Sequence, residues 1–391
     1  MKYLSWSYIF STSAFQPCYR GRKPIGYKEI SQTYHSRNIP VWKLEASQGV
    51  NAQFSANTFH PRASRFYHVA DRFSVAEMTL IADVNEYFAT HRMRHDSKLV
   101  FEDIQEAISK VHISGSLYNE ITNNIDDYLV RGSLKSLLEH FKKHKKQLFI
   151  LTNSPFKFVD AGMKCLLDEK NWVDYFDLVI CQSKKPGFFT KRDAKFRTSG
   201  KKWALGGEPR PEFQDVRKLQ KGYIYHGGCL RELQRLTGWQ PHETLFFGDH
   251  LYADLADAIL NVGWRTGCIV PELEREINVI NSDEFKQNVT KLITLEKYLE
   301  FEQKINKNTN GPLIDRYKQE RREIKEELRD MFNPYFGSIF RCNFQTSYFH
   351  RRLSRFAEIY TSKIGNLAEI PIDTTLYPRR SSLPHEYTKY T

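Results

Sequence analysis

The sequence predicts an α/β protein built around a parallel sheet with helices on both faces. Three observations indicate this fold. Short apolar segments recur between residues 145 and 271, a helical stretch follows each of them, and small or polar residues end each segment. This alternation is typical of parallel strands joined by helical crossovers. The predicted strands are Gln147–Asn153, Phe176–Cys181, Gly222–Tyr225, Thr244–Phe247 and Arg265–Val270.

Changes in residue composition and hydrophobic periodicity along the chain predict four regions. Residues 1–65 are irregular because prolines, glycines and serines interrupt every period. Residues 66–137 form a helical cap, in which apolar side chains return at helical spacing. Residues 138–285 hold the Rossmann-like core with the predicted sheet, and residues 286–391 form a helical C-terminal extension.

The composition is that of a soluble globular chain. Of its 391 residues, 40% are hydrophobic, and none of its apolar runs approaches the roughly 20 residues that a membrane helix needs. We therefore expect no membrane partner. The six cysteines form no CxxC pair and predict reduced, buried thiols in an intracellular, cytoplasmic protein. A mitochondrial location is the alternative, because Met1–Lys28 contains basic residues and serines but no acid.

The net charge of +12 is compatible with a phosphate-bearing partner. A surplus spread along the chain more often serves solubility, and no nucleic-acid-binding module accompanies it. We therefore do not expect a nucleic-acid partner. Lysines and arginines are concentrated in residues 191–202, which we interpret either as a patch that steers anions or as a mobile basic loop.

Polar side chains follow the first two predicted strands, where a parallel sheet binds its ligands. Thr152 and Asn153 come at the end of the first strand and offer donors to an anion, although an ordinary helix cap would look the same. Lys185 follows the second strand and would offset the charge of a phosphoryl group. These three residues predict a phosphate site.

The strongest pattern is the segment from Phe247 to Asp257. An apolar strand ends at Gly248 and delivers Asp249 to the edge of the sheet, and Asp254 follows one turn later. Carboxylate oxygens held in this way are ligands that Mg²⁺ prefers, with water and phosphate oxygens completing its shell. The segment predicts a magnesium site formed by Asp249 and Asp254.

In order and context, these residues resemble motifs two, three and four of the haloacid dehalogenase superfamily. The flanking sequence is similar to that of the 5′-nucleotidase domain-containing proteins, relatives of the cytosolic purine 5′-nucleotidase. The segments that carry this resemblance include Leu151–Phe156, Lys185–Thr190, Gly248–Asp254, Gly263–Thr266, Pro271–Leu273, Phe336–Arg341 and Tyr377–Arg380. The resemblance implies a haloacid-dehalogenase-like fold and a Mg²⁺-dependent hydrolase that converts a nucleoside 5′-monophosphate, or another small phosphomonoester, to its alcohol and phosphate.

The resemblance also implies a role for each matching residue. Thr152, Asn153 and Lys185 would bind the phosphoryl group, Asp249 would ligate Mg²⁺, and Asp254 would support that ligand or join it. Family members add an Asp-x-Asp motif at the end of the first central strand, whose first aspartate is the nucleophile and whose second is the general acid. This sequence has no aspartate before Asp71 and no Asp-x-Asp.

One other segment has an acid at the end of an apolar run. Leu80–Asn85 is an apolar run that contains an acid, but it lies within a helical pattern and matches the family's cap helix. We therefore expect no catalytic residue in this chain as written, and a first central strand that is missing or replaced. Tyr3–Phe10 is a candidate replacement strand without a carboxylate.

Two explanations stay open. The chain is an isoform or incomplete gene model with its nucleophile encoded upstream, or it is a pseudoenzyme that serves as a scaffold or regulatory binding protein. Base preference is also open, because positions that hold arginine, aspartate and lysine in purine-specific relatives correspond to Gln105, Ser109 and Tyr118. A homo-oligomer is one alternative for the assembly of the chain, and a monomer is the other.

Overall fold

The computed structural model describes residues 18–20, 22–25, 73–201, 212, 216–304, 311–342 and 345–377. Tyr3–Phe10, the candidate replacement strand, lies outside the described residues. The chain divides into two compact units, and the larger comprises Tyr19–Asn278 and Arg351–Glu369. The four regions predicted from composition and periodicity stay a prediction. Within the described ranges, no helix combines the length and apolar character that crossing a membrane requires.

Helices account for most of the described chain. They are α1 (Phe73–Thr90), α2 (Ser97–Ile113), α3 (Ser116–Asn123), α4 (Ile125–Tyr128), α5 (Leu134–Lys143), α6 (Phe156–Leu167), α7 (Gly187–Thr190), α8 (Leu230–Thr237), α9 (Glu272–Asn281), α10 (Asp283–Lys304), α11 (Pro312–Asp330) and α12 (Tyr348–Phe356). Wider, π-type turns form Leu251–Ala256 and Ala258–Val262. The rejected segment Leu80–Asn85 lies inside α1, in agreement with its helical pattern.

Strands are short, and the five strands predicted from sequence are all present. The full set is β1 (Cys18–Arg20), β2 (Lys23–Ile25), β3 (Phe149–Leu151), β4 (Leu178–Cys181), β5 (Phe196–Gly200), β6 (Ile224–Gly227), β7 (Leu245–Gly248), β8 (Arg265–Ile269), β9 (Arg341–Cys342), β10 (Gln345–Thr346) and β11 (Ile359–Thr361). The mixed α/β fold predicted from the alternating pattern is confirmed and is consistent with a haloacid-dehalogenase-like architecture.

Two main sheets lie in the larger unit. One has the order β3-β4-β6-β5 and the other has the order β11-β8-β7. Pairing is parallel in both sheets except between β5 and β6. Among the described strands, β3 pairs only with β4 and β7 only with β8, so each ends its sheet.

Aromatic side chains join these two sheets. The ring of Phe149 on β3 lies 6.2 Å from that of Phe246 on β7, measured between centroids, and 5.9 Å from Trp264. Phe189 of α7 packs 5.6 Å from Trp264. Offset and edge-on ring pairs at these distances stabilise packing beyond the burial of their area. The edges of β3 and β7 are therefore held near each other by side-chain contacts.

The core beneath the first sheet is apolar and fully buried. Trp172 and Val173 have no exposed surface, and Trp172 donates a hydrogen bond from its indole nitrogen to Asp160 at 2.9 Å. Of the cysteines whose side chains the structure describes, Cys181, Cys229 and Cys268 are buried and free. Cys165 and Cys342 are only half-buried, which corrects the expectation that all the thiols are buried.

Two local predictions need correction. Of the two interpretations of the basic stretch 191–202, the mobile loop is wrong where Phe196–Gly200 forms β5, which pairs antiparallel with β6, and the anion-steering patch stays a prediction. The C-terminal extension was expected to be helical, but α12 ends at Phe356 and the strand β11 begins at Ile359. In both cases pairing with a strand distant in sequence overrides the local pattern.

In the smaller unit, α10 and α11 pack against each other. Their apolar contact is centred on Leu292, Leu295 and Ile324. Glu296 of α10 accepts hydrogen bonds from Arg321 at 2.7 Å and from Lys325 at 3.0 Å, both on α11. The charged face of α11 thus serves the contact with its neighbouring helix.

Gly162 provides a first test of the fold. It lies inside α6, and a Cβ at this position would meet only Leu129 Cδ1, at an ordinary 3.7 Å. Gly162→Ala is expected to raise the free energy of unfolding by about 0.5–1 kcal/mol, because alanine loses less backbone freedom on folding. Denaturant unfolding measures the change. A loss of stability would show that the contact with Leu129 is too tight.

The same substitution at Gly238 is the contrasting control. Gly238 ends α8 with φ of 72°, and nothing lies within 4 Å of its Cβ position. Gly238→Ala is expected to lower the free energy of unfolding by about 1 kcal/mol, since alanine is strained in the left-handed region. Opposite signs at the two sites would confirm that backbone conformation decides the outcome.

Candidate functional site

The carboxyl ends of β3, β4 and β7 carry the residues predicted to form a site. Thr152 and Asn153 follow β3, the loop Ser183–Lys185 follows β4, and Asp249 follows β7. Thr152 continues the pairing of β3 with β4, since its N–H donates to Ile180 O and its carbonyl accepts from Ser183 N–H. These backbone hydrogen bonds therefore hold the starts of the two loops after β3 and β4 next to each other.

Asn153 fastens these loops together. Its side-chain oxygen accepts from the backbone N–H of Lys185 at 2.6 Å and from the Ser183 hydroxyl at 3.0 Å. Its side-chain nitrogen donates to the backbone carbonyl of Lys185 at 2.9 Å. Gln182 and Lys184, the two neighbours of Ser183, both have positive φ, a conformation that costs free energy for residues other than glycine. The bonds of Asn153 stabilise this loop conformation.

Lys185 is the centre of the site. Its ammonium group donates to the carbonyl of Leu151 at 2.9 Å and lies 2.7 Å from Asp254 Oδ1. The side chains of Lys185 and Asp254 are each only 9% exposed. The same ammonium lies 5.2 Å from the centre of the Phe246 ring, whose face favours a cation. Lys185 thus bridges the end of β3 and the turn that follows β7.

Gly248 allows Asp254 to come close to the end of β7. A Cβ on Gly248 would lie 2.5 Å from both Cβ and Oδ2 of Asp254, a distance that real Cβ atoms do not show. Asp254 Oδ2 accepts from the backbone N–H of His250 at 3.2 Å. The imidazole of His250 in turn accepts from the N–H groups of Tyr252 and Ala253. Both oxygens of Asp254 are therefore held by protein donors.

Asp249 is the exposed carboxylate of the site. In the part of the chain that the structure describes, its side chain makes no hydrogen bond or ion pair. Thr152 Oγ1 accepts from Ser154 N–H at 3.1 Å, and its own hydrogen has no acceptor among the described residues. Over the same residues, no group of three or more His, Cys, Asp or Glu side chains converges as a ready-made metal cage.

A second buried carboxyl, Asp257, lies one turn beyond Asp254. Burial raises the pKa of Asp257, and the hydrogen bond from Asn261 to its Oδ1 at 2.7 Å opposes that shift. Its Oδ2 has no hydrogen-bond partner among the described residues. Desolvation of this kind disfavours the charged form. Burial and the hydrogen bond from Asn261 thus act on the Asp257 carboxyl in opposite directions, and burial is the larger of the two effects.

The structure brings some of the predicted residues into contact and leaves others apart. Asn153, Lys185 and Asp254 form one bonded chain, and Thr152 lies beside them, whereas Asp249 stands alone at the surface. The sequence interpretation missed Ser183 and gave no role to His250, which position Asn153 and Asp254 respectively. Ser183 lies two residues after the end of β4, so the rule that found Lys185 would also have found it.

These observations define an α/β protein with a buried lysine and carboxylates at the carboxyl ends of its parallel strands. The model of the 5′ nucleotidase family matches residues 9–388, nearly the whole sequence. The chain belongs to the 5′-nucleotidase family, which confirms the resemblance found in the sequence.

Three relatives are similar over 94% of this chain. The 5′-nucleotidase domain-containing protein 2 of Homo sapiens is 36% identical over 370 residues, and the protein of that name from Rattus norvegicus is also 36% identical. A 5′-nucleotidase domain-containing protein of Dictyostelium discoideum is 31% identical over 378 residues. The matches span 68%, 64% and 60% of these relatives' lengths, so this chain corresponds to only part of each.

Proposed function

We propose that this chain binds the phosphate group of a nucleoside 5′-monophosphate, or of another small phosphomonoester, together with Mg²⁺. The observation that carries the proposal is Lys185, whose ammonium is fixed at the carboxyl edge of the sheet between Leu151 and Asp254. A positioned lysine at such an edge stabilises phosphoryl oxygens. Membership of the 5′-nucleotidase family supports a nucleotide as the ligand.

The residues present fit a magnesium ion. Asp249 is an exposed carboxylate without a partner among the described residues, at the end of a buried strand. Asp254 is already held by Lys185 and by the N–H of His250, which supports a role in positioning. When bound, Mg²⁺ would supply charge compensation to the phosphate oxygens, with water completing its octahedral shell. Asp249 would be its principal protein ligand, with Asp254 behind it.

The remaining residues bind and orient the phosphate. Thr152 would donate its hydroxyl hydrogen to a phosphoryl oxygen, since that hydrogen has no acceptor in the described structure. Lys185 would offset the charge of a second oxygen. Asn153 acts through Lys185, because its amide holds both backbone groups of that residue. This assigns Asn153 to positioning in addition to the phosphate contact expected from the resemblance.

Hydrolysis needs a nucleophile as well as this binding site. The sequence contains no Asp-x-Asp to supply the attacking carboxylate and the general acid. We therefore expect the chain to bind a phosphomonoester without cleaving it. The second candidate function, Mg²⁺-dependent hydrolysis, is favoured by one observation: β3 and β7 each have a neighbour on one side only among the described strands, and a further strand could deliver a nucleophile there.

Calorimetric titration of the purified chain with AMP, GMP, CMP and UMP, with and without Mg²⁺, tests binding and base preference together. We expect binding that depends on Mg²⁺ and phosphate release no faster than without protein. Release that depends on Mg²⁺ would instead establish the hydrolase. Absence of binding to every phosphomonoester in the panel would refute the proposed function.

Replacing Asp249 with asparagine tests the metal ligand. Asp249→Asn is expected to weaken Mg²⁺-dependent nucleotide binding by about 10- to 100-fold, since it removes the charge of the proposed ligand while keeping its shape. Glu243→Gln is the matched control, because Glu243 is exposed just before the opposite end of the same strand. Equal binding by the wild type and Asp249→Asn would show that Asp249 is not the ligand.

A further inference from the structure

An open depression lies apart from the site described above. Its volume is about 710 Å³, within the range of small-molecule sites. Three parts of the chain line it: the end of α7 with the residues after it, the first turns of α8, and Asn261. None of Thr152, Asn153, Lys185, Asp249 and Asp254 contributes to its lining.

The rim of this depression is basic and carries no acid. Lys191, Arg192 and Arg231 line it, all three are exposed, and none forms an ion pair or a side-chain hydrogen bond with any residue in the described ranges. Neighbouring cations behave differently. Arg235, one turn further along α8, is bonded to Glu232 at 2.6 and 2.8 Å. Three uncompensated cations around one concave surface favour an anionic ligand.

Local backbone structure adds to the positive potential. Arg231 lies in the first turn of α8, whose N-terminus has no side-chain cap. The exposed N–H groups of such a turn attract anions. The buried thiol of Cys229 donates to the backbone carbonyl of Arg192 at 3.7 Å, which ties the loop that carries Arg192 to the start of α8. This hydrogen bond therefore fixes the backbone that carries Arg192 relative to the helix that carries Arg231.

The charge of the lining also indicates how many phosphate groups the ligand carries. A phosphomonoester carries only about −1.5 to −2 charges, which does not balance three cations, whereas two linked phosphates do. Arginine contacts phosphate oxygens in pairs. Beneath the rim lie the mostly buried Phe189 and Leu230, with the amides of Gln234 and Asn261 beside them, so an organic group attached to the phosphates also has a surface to contact.

We propose that this depression is a second anion site, which binds the diphosphate group of a small molecule through Lys191, Arg192 and Arg231. The site is independent of the phosphomonoester site, because it uses other side chains and needs no divalent cation. Inorganic pyrophosphate and an organic diphosphate such as ADP share the chemistry that these residues recognise.

The test is calorimetric titration of the full chain with pyrophosphate, ADP and orthophosphate, in low salt and with EDTA to exclude divalent cations. Pyrophosphate or ADP is expected to bind more tightly than orthophosphate. The tighter of the two identifies whether the ligand is inorganic or organic. Orthophosphate binding as tightly as both, or no binding of any diphosphate, would overturn the proposal.

Variants locate the site. Arg231→Ala is expected to weaken binding about tenfold, as loss of one charge-assisted contact does, and Lys191→Ala with Arg231→Ala about 100-fold. Arg235→Ala is the control, since Arg235 is on the same helix, is exposed, and is already paired with Glu232. Circular dichroism verifies folding of each variant. An unchanged affinity in Arg231→Ala, or an equal loss in Arg235→Ala, would overturn the assignment.

Discussion

Replacing Lys185 with methionine is expected to lower the free energy of unfolding by about 3–5 kcal/mol. The reason is that Asp254 would be left buried and charged without its partner, since both side chains are only 9% exposed in the folded chain. The carbonyl of Leu151 would lose its bond to the ammonium group as well. Denaturant unfolding measures the stability, and nucleotide titration of the folded variant should show no phosphate binding.

Two further variants separate charge from packing. Lys184→Met removes the neighbouring lysine, which is exposed and forms no ion pair among the described residues, so stability should change by less than about 0.5 kcal/mol. Combining Lys185→Met with Asp254→Asn removes the stranded charge and should recover much of the lost stability. If the double variant were as unstable as Lys185→Met alone, the ion pair would not be the cause.

Replacing Gly248 with alanine is expected to be the next most disruptive change. The new Cβ would overlap Cβ and Oδ2 of Asp254 at 2.5 Å, so Asp254 must move away from the end of β7. Overpacking of this kind costs about 1–3 kcal/mol. Because Asp254 also holds Lys185, we expect weaker phosphate binding in addition to lower stability. Unfolding and titration of the same preparation measure both effects.

Gly132→Ala is the control for this substitution. Nothing lies within 4 Å of its Cβ position, and its φ is outside the left-handed region, so stability and binding should both stay close to wild type. A Gly248→Ala variant with wild-type phosphate affinity would contradict the role given to the position of Asp254.

Local pattern was sufficient to predict the parallel strands and the residues at their ends. A strand such as Leu178–Cys181 is apolar at every position because it is buried on both faces, and its length and flanking residues distinguish it from a helix. Thr152, Lys185 and Asp249 followed from the rule that polar groups collect beyond the carboxyl ends of parallel strands. Family membership followed from the same segments.

Other features depend on residues distant in sequence and had no local sign. Phe196–Gly200 is a strand because it pairs with β6, although the basic residues around it resemble a loop. Ile359–Thr361 pairs with β8, about 90 residues earlier in the chain. The bonds of Asn153 to Lys185 span 32 residues, and the contact between Lys185 and Asp254 is still more distant. Contacts between residues so far apart in sequence form only when the chain folds, so a local sequence pattern does not predict them.

The pairing of Lys185 with Asp254 also affects the order in which ligands can enter. In the proposed site, the one ammonium group of Lys185 is already paired with Asp254, and Asp249 adds a carboxylate that has no partner among the described residues. Under the proposed function, the unpaired carboxylate would attract the cation, and the paired ammonium would have little charge left over for the phosphate before the cation arrives. We therefore expect the two ligands to bind in order, the cation first and the phosphate second.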